Sequence, residues 1–228
     1  AAVLMVDGDG KKASALEAEP LVRSGMVVLS IDARGYGETQ VNTSMNSTEF
    51  AHYFGDFKDT MTALLVGKTM VGMRTLDITR GVDLLSARSD IDRNKIYVYG
   101  KKAGSVPALY AAVLDGRIRK VVLEGMLSSY DSVVENKIHR HVFESVVPGA
   151  LKFYDLPDLV ATLAPRKVSI VSGTDPLGHE MPANAVRNEY KRAVDAYRQM
   201  GVERAIHILE RSPGEDASTI YRELTDSP

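Results

Sequence analysis

The chain of 228 residues contains no cysteine. Disulfides and thiolate metal sites are thereby excluded, but the compartment stays open, because many exported bacterial proteins also lack cysteine. No apolar run approaches the roughly 20 residues that a helix needs to cross a bilayer. Neither sign of charge is in excess: 28 Lys and Arg stand against 30 Asp and Glu, a formal net charge of −2. That balance gives no electrostatic case for nucleic acid or an anionic membrane as partner, and small neutral or weakly charged ligands fit better. An initiator methionine and a basic leader are missing too. The chain opens AAVLMV and moves straight into strand-like sequence, so no signal peptide is visible. The expectation is a start that has been processed away or that belongs to a longer polypeptide.

Hydrophobic residues make up 44% of the chain, enough to build a single core at this length. Short apolar runs closed by turn residues read as buried strands at Ala2–Val6, Met26–Ile31, Ile96–Tyr99, Lys120–Met126, Lys167–Val171 and Ala205–Glu210. Between them the pattern predicts helices over Ser14–Arg23, Thr69–Arg88, Val106–Leu114, Asn184–Met200 and Ala217–Leu224. In the second of these, Val71, Ile78, Val82 and Leu85 recur at helical spacing. Six strands alternating with helices predict an α/β fold: a doubly wound, mostly parallel sheet in a three-layer αβα arrangement. The chain reads as one domain, residues 1–228, with excursions at about 40–68 and 127–165. Long segments of this kind in a compact domain are often functional.

One stretch carries a specific signal, VYGKKAGSVPALYAAVLD from Val98 to Asp115. Strand, glycine, small residue, glycine and alanine-rich helix outline a nucleophile elbow, whose pattern G-x-S-x-G presents a serine on a strained strand-to-helix turn. Here the five residues are Gly100, Lys101, Lys102, Ala103 and Gly104. Lys102 holds the place of the nucleophile.

IDARGYGET, GMRTLDITRGVDLLSAR, SDIDRNKIYVYG, ALYAAVLDGRIRKVVLEG and YDLPDLVATLAPRKVSIVSGTDPLG together resemble the α/β-hydrolase superfamily, in its acetyl-xylan-esterase-like and prolyl-oligopeptidase-like branch. The resemblance covers nearly the whole chain but lacks the first two strands of the usual fold. It implies the chain order nucleophile, acid, histidine, each at the carboxyl end of a strand. Asp175 in SGTDPLG stands where the acid belongs. After the last strand comes RSPGEDAST, where Glu215 and Asp216 occupy the turn and no histidine does. A serine needs a base to become nucleophilic, and the acid acts only by orienting that base. The triad is therefore expected to be degenerate, a pseudoenzyme arrangement in which Lys102 forms an ion pair with Asp175, Glu215 or Asp216. A ligand-anchoring role for Lys102 is the functional counterpart. The oxyanion hole of the family would fall on the amides of Ala103 and of the Gly8–Gly10 turn, represented by Asp9.

Ser105 follows the elbow but falls in the first turn of a helix, where serine caps or packs. Ser128, Ser129 and Tyr130 follow the fourth strand and read as ligand contacts. His179 lies four residues past Asp175, and if the protein is still a hydrolase its base is expected there or in the insertion. His139 and His141, spaced i and i+2, lack a clear third ligand and read as solvated residues rather than a metal site. His52 lies in the first excursion, and His207 within the last strand. A rival begins in VLMVDGDGK, which resembles the first motif of haloacid-dehalogenase-type phosphatases; Asp7 and Asp9 would then serve a magnesium-dependent reaction. Three functions are carried forward: a catalytically degenerate relative of carbohydrate acetyl esterases, an active carboxyl-ester hydrolase with an atypical site, and that phosphatase. The first two imply no cofactor. The partner expected is a small-molecule or carbohydrate ester, with a homo-oligomer or a longer chain as context.

Overall fold

The structure is a computed structural model and describes residues 1–40, 57–212 and 214–226. Six strands form one sheet: β1 (Ala2–Asp7), β2 (Val27–Ile31), β3 (Ile96–Lys101), β4 (Ile118–Glu124), β5 (Lys167–Val171) and β6 (Ile206–Leu209). Their order is β2-β1-β3-β4-β5-β6, and every pairing is parallel. The helices are α1 (Ala15–Arg23), α2 (Phe57–Leu65), α3 (Met70–Ala87), α4 (Ser105–Leu114), α5 (Tyr130–Glu135), α6 (Leu156–Ala161), α7 (Ala183–Glu189), α8 (Lys191–Gln199) and α9 (Ser218–Thr225).

The strands read as continuous apolar runs because both faces of the sheet are covered. In β1, Ala2, Leu4 and Val6 belong to one buried cluster, and Val3 and Met5 to the other. Leu21 of α1 and Ile220 and Leu224 of α9 cover the second face, against Tyr99, Val122 and Val171. The first face is larger. Val71, Ile78, Val82 and Leu85 of α3, Leu109 of α4, Val160 of α6 and Tyr197 of α8 all lie in it. The three-layer αβα expectation and the α3 stripe are thus observed.

Some boundaries differ. The helix expected over Asn184–Met200 is two helices, broken at Tyr190, whose ring is buried and whose hydroxyl donates to the Ser128 carbonyl at 2.9 Å. β3 runs on to Lys101, and β4 starts two residues earlier than the apolar run. The first excursion is not all loop, since Phe57–Leu65 is helical; residues 41–56, with His52, lie outside the described residues.

Because β1 is flanked by β2 on one side and β3 on the other, the winding of the chain reverses between β1 and β3. Open parallel sheets bind ligands at such a switch point, outside the carboxyl ends of the strands. Two turns meet there. In the turn after β2, Asp32 accepts from the amides of Lys11 (2.6 Å) and Glu38 (3.1 Å), tying it to the turn after β1. Gly37, at φ +49°, has its Cα face against that carboxylate: a Cβ there would lie 2.3 Å from Asp32 Oδ1. Arg34 clamps the same turn to α3 through Asp77, its Nε at 2.8 Å.

The elbow glycines are required by space rather than by chemistry. A Cβ on Gly100 would meet Ser105 Cα and Ala108 Cβ at 2.7 Å, and one on Gly104 would meet the Val6 carbonyl oxygen at 2.5 Å. Backbone cannot yield as a side-chain tip can. Gly104→Ala is expected to lower stability by about 1–3 kcal/mol, the usual cost of overpacking, measured by urea unfolding; an unchanged midpoint would contradict this packing.

Candidate functional site

Lys102 sits on the tip between β3 and α4 with φ +52°, the left-handed backbone that an L residue adopts at a cost. The strained tip of a nucleophile elbow is therefore present, with lysine at the position where the G-x-S-x-G pattern has serine. The aliphatic stem of Lys102 passes over Gly125, whose added Cβ would lie 3.7 Å from Lys102 Cγ. Its ammonium reaches across the switch point and bonds the carboxylate of Asp9. Both side chains are more than half exposed, at 57% and 55%.

This corrects the expected pairing, because Asp9 is the partner and Asp175, Glu215 and Asp216 are not. Asp175 does lie at the cleft wall after β5, but its oxygens are turned into its own loop. Oδ1 accepts from the amides of Leu177 (2.8 Å) and His179 (2.9 Å), and Oδ2 lies 3.2 Å from His179 Nδ1. Glu215 and Asp216 lie away from the cleft, on a groove between α1 and α9 lined also by Leu16, Pro20 and Tyr221. Glu215 is consumed by the start of α9. The Thr219 hydroxyl, the Ser212 amide and the Ser218 hydroxyl pull its exposed carboxyl down to about 2. Asp216 Oδ1 likewise accepts from the Ser218 amide at 2.9 Å. A helix start draws carboxylates to its amides, and here it takes both acids of the turn.

The remaining candidates separate in the same way. Ala103 lines the cleft beside Lys102, and Gly8 packs against it so closely that a Cβ would lie 2.9 Å from the Ala103 nitrogen. The Asp9 amide is not available as an oxyanion donor, because it donates to Asp7 Oδ1 at 2.9 Å. Asp7 is 1% exposed, and its other oxygen accepts from the Ser14 hydroxyl at 2.7 Å. It fastens the β1 turn to α1 and presents no oxygen to a phosphoryl group. Ser105 is buried and donates to the Glu124 carbonyl at 2.8 Å.

Ser128, Ser129 and Tyr130, expected as ligand contacts, are buried behind the cleft. Ser129 caps α5 by accepting from the Ser132 amide at 3.1 Å. The Tyr130 hydroxyl lies 3.2 Å from that of Tyr110, which donates to Tyr154 at 3.0 Å. His207 Nδ1 lies 2.7 Å from Glu223 on the α9 face. His141 lines the cleft at φ +53°. Among the described residues no group of three His, Asp or Glu side chains could hold a metal ion.

The cavity so framed has a volume of about 630 Å3. Two charged arrangements around it had no clear signal in the sequence. The first lies under its floor. Lys101, next to Lys102, turns to the α1 and α9 side, where its ammonium lies 2.9 Å from Glu17 and 3.7 Å from Asp7. Arg211, just after β6, bridges Glu17 (3.2 Å) and Glu124 (2.7 Å), and the Tyr99 hydroxyl bonds Glu124 from the strand below. The second holds the insertion. Arg74 of α3 is fully buried, donates to the Arg34 carbonyl (2.9 Å) and Glu144 (2.6 Å), and stacks 3.8 Å over the Tyr36 ring. A lone arginine in a helical stripe looks solvated in the sequence; only the position of Glu144 shows otherwise.

Burial alone pushes the Glu17 carboxyl up, but Lys101 and Arg211 outweigh it and the net direction is down. A carboxyl lowered in the folded state stabilises fully above the ordinary carboxylate range, and that stability fades as pH falls through the folded value. In urea unfolding between about pH 7 and pH 3, Glu17→Gln is therefore expected to lose less stability on acidification than the unmodified chain. Arg211→Met leaves Glu17 to Lys101 but takes the salt-bridge partner from the largely buried Glu124, and should cost about 3–5 kcal/mol at neutral pH. Equal acid losses in the first comparison, or a near-neutral second variant, would refute this account of the floor.

In sequence, the chain is 26% identical over 206 residues to the "Putative hydrolase YtaP" of Bacillus subtilis (strain 168), a match covering 90% of this chain and 64% of that protein. It thus spans under two thirds of the length of that curated relative. Solved structures with the same fold include a "putative acetyl xylan esterase" from Bacteroides fragilis NCTC 9343 (TM-score 0.74, 18% identity, 96% of this chain and 60% of that one). A CE15 glucuronoyl esterase from Teredinibacter turnerae T7901 (TM-score 0.63, 14% identity, 98% and 65%) and the acetyl xylan esterase from Paenibacillus sp. R4 (TM-score 0.59, 17% identity, 92% and 67%) share it too. A model of the Abhydrolase family matches residues 5–196, and with that match, the parallel sheet and the glycine-bounded elbow around Lys102, the chain belongs to that α/β-hydrolase family.

Proposed function

We propose that this chain is a non-catalytic member of the hydrolase family, one that binds a small molecule or carbohydrate ester in the cleft without cleaving it. The observation that carries the reading is Lys102, held at φ +52° on the elbow tip and bonded to Asp9. An ammonium engaged by a carboxylate is no substitute for a serine activated by an imidazole. The supporting observation is the turn after β6, whose acids cap α9 instead of facing the cleft. The carbohydrate part of the reading rests on the esterases that share the fold.

A second reading keeps activity. The Asp175–His179 contact at 3.2 Å places an acid and a base together beside the cleft, and the His179 ring is 74% exposed. Such a pair would activate water directly, as a general base without a covalent intermediate.

Short-chain p-nitrophenyl esters separate these readings. The expectation is no release above the buffer rate and no mass increase after an organophosphonate serine probe. Lys102→Ser alone is expected to stay inert, because the turn after β6, RSPGEDAST, carries no histidine. A labelled serine, with turnover abolished by its alanine variant, would refute the non-catalytic reading. Turnover removed by His179→Ala without any labelled serine would establish the second. Magnesium-dependent release from p-nitrophenyl phosphate that disappears in Asp7→Asn would revive the phosphatase.

A further inference from the structure

Lys58, Asp59, Arg140 and Glu180 also line the cleft; the charged groups whose partners bear on Lys102 are of two kinds. Glu124 is held by Arg211 at 2.7 Å and is about one-tenth exposed; Glu144 is held by the fully buried Arg74 at 2.6 Å. Asp175 is saturated by two amides and the His179 ring. Glu124 and Glu144 are thus compensated by arginines and repel an incoming anion little, while Asp175 is held by hydrogen bonds in its own loop. Lys102 and Asp9 differ in being exposed on both sides of the pair. Exposed ion pairs contribute about 0–1 kcal/mol, so exchanging one partner for another is nearly free.

The position of that exchangeable pair is specific. Lys102 is fixed by its backbone on the wall of the cleft, with the Ala103 amide next in the chain and α4 starting three residues on. The local field there favours a negative group. Asp9, carried on the turn after β1, supplies one from the protein itself.

We propose that the cleft recognises its ligand through a carboxylate, which takes the place of the Asp9 carboxylate on Lys102. Asp9 is then a resident stand-in, occupying the cation until an acid displaces it. The inference rests on the binding reading of the cleft and narrows it: the preferred occupant carries a free acid, which a neutral ester or amide of the same shape lacks. Electrostatic complementarity decides between the two, because the shapes are alike.

Benzoate and its neutral isostere benzamide are small enough for a cavity of about 630 Å3, and neither can be turned over as an ester. In amide-resolved NMR titrations at constant ionic strength, benzoate is expected to shift the Asp9, Ala103 and Gly125 signals saturably, and benzamide to leave them unmoved. Asp9→Asn removes the competing carboxylate and should tighten benzoate by up to about fivefold, the range that an exposed ion pair allows. Lys102→Met should abolish saturable shifts while thermal unfolding stays cooperative. Benzamide shifting the same signals equally, unchanged or weaker benzoate binding in Asp9→Asn, or saturable binding that survives Lys102→Met would each overturn the proposal. The Asp9 variant predicts a gain, so misfolding cannot imitate it. Failure here leaves the non-catalytic reading standing, and ester turnover would refute that reading without touching the carboxylate result.

Discussion

The approach of two backbones at Gly104 sets the geometry of everything above the sheet. With no Cβ, the start of α4 lies against the Val6 carbonyl at the end of β1, where an alanine would come within 2.5 Å. Gly8 makes the reciprocal approach to Ala103. Those two contacts bring the turn after β1 against the elbow and so place Asp9 within reach of Lys102. The ion pair follows from the packing of glycines, and its partners could be exchanged without moving either element.

Below that pair, adjacent lysines meet opposite fates because successive strand residues face opposite ways. Lys101 ends β3 on the face of Tyr99 and enters the network of Glu17, Asp7, Glu124 and Arg211. The low-dielectric surroundings make each of its charges costly to strand. Lys102 leaves the strand at a left-handed φ and stays in solvent, where its pair with Asp9 is weak and open to competition. One lysine fixes the floor; the other offers a replaceable contact on top of it.

Much of the fold was legible because burial writes it into the sequence directly. Strands covered on both faces read as unbroken apolar runs, and the α3 stripe appeared at helical spacing with the residues that the core contains. Gly100 and Gly104 were legible as an elbow, and Asp175 as a residue after β5. Charge partners were not. Nothing local distinguishes Asp9 from Glu215 as a mate for Lys102; the choice depends on which turn packs against the elbow, and on α9 drawing Glu215 and Asp216 to its own first turn. The serines after β4 misled for a related reason: strand ends place residues at the rim, but Ser128 and Ser129 are buried, the first against Tyr190 at the break between α7 and α8 and the second as the cap of α5. Tyr190 broke a helix that periodicity joined, because its hydroxyl reaches the Ser128 carbonyl.

The elbow also shows why its geometry does not depend on which side chain stands at the tip. Triad side chains contribute little to folding, since they project from turns that glycines and amides already hold. A left-handed φ costs an L residue about 1–2 kcal/mol, and that cost falls on whichever residue occupies the tip, serine or lysine alike. It persists because β3 and α4 are each anchored in the core on either side of the tip, and neither can rotate to relieve it. The frame therefore continues to present one side chain, at one place, to the switch point between β1 and β3. An ammonium at that place attracts what an uncharged hydroxyl would not, and the negative group it bonds is the protein's own Asp9.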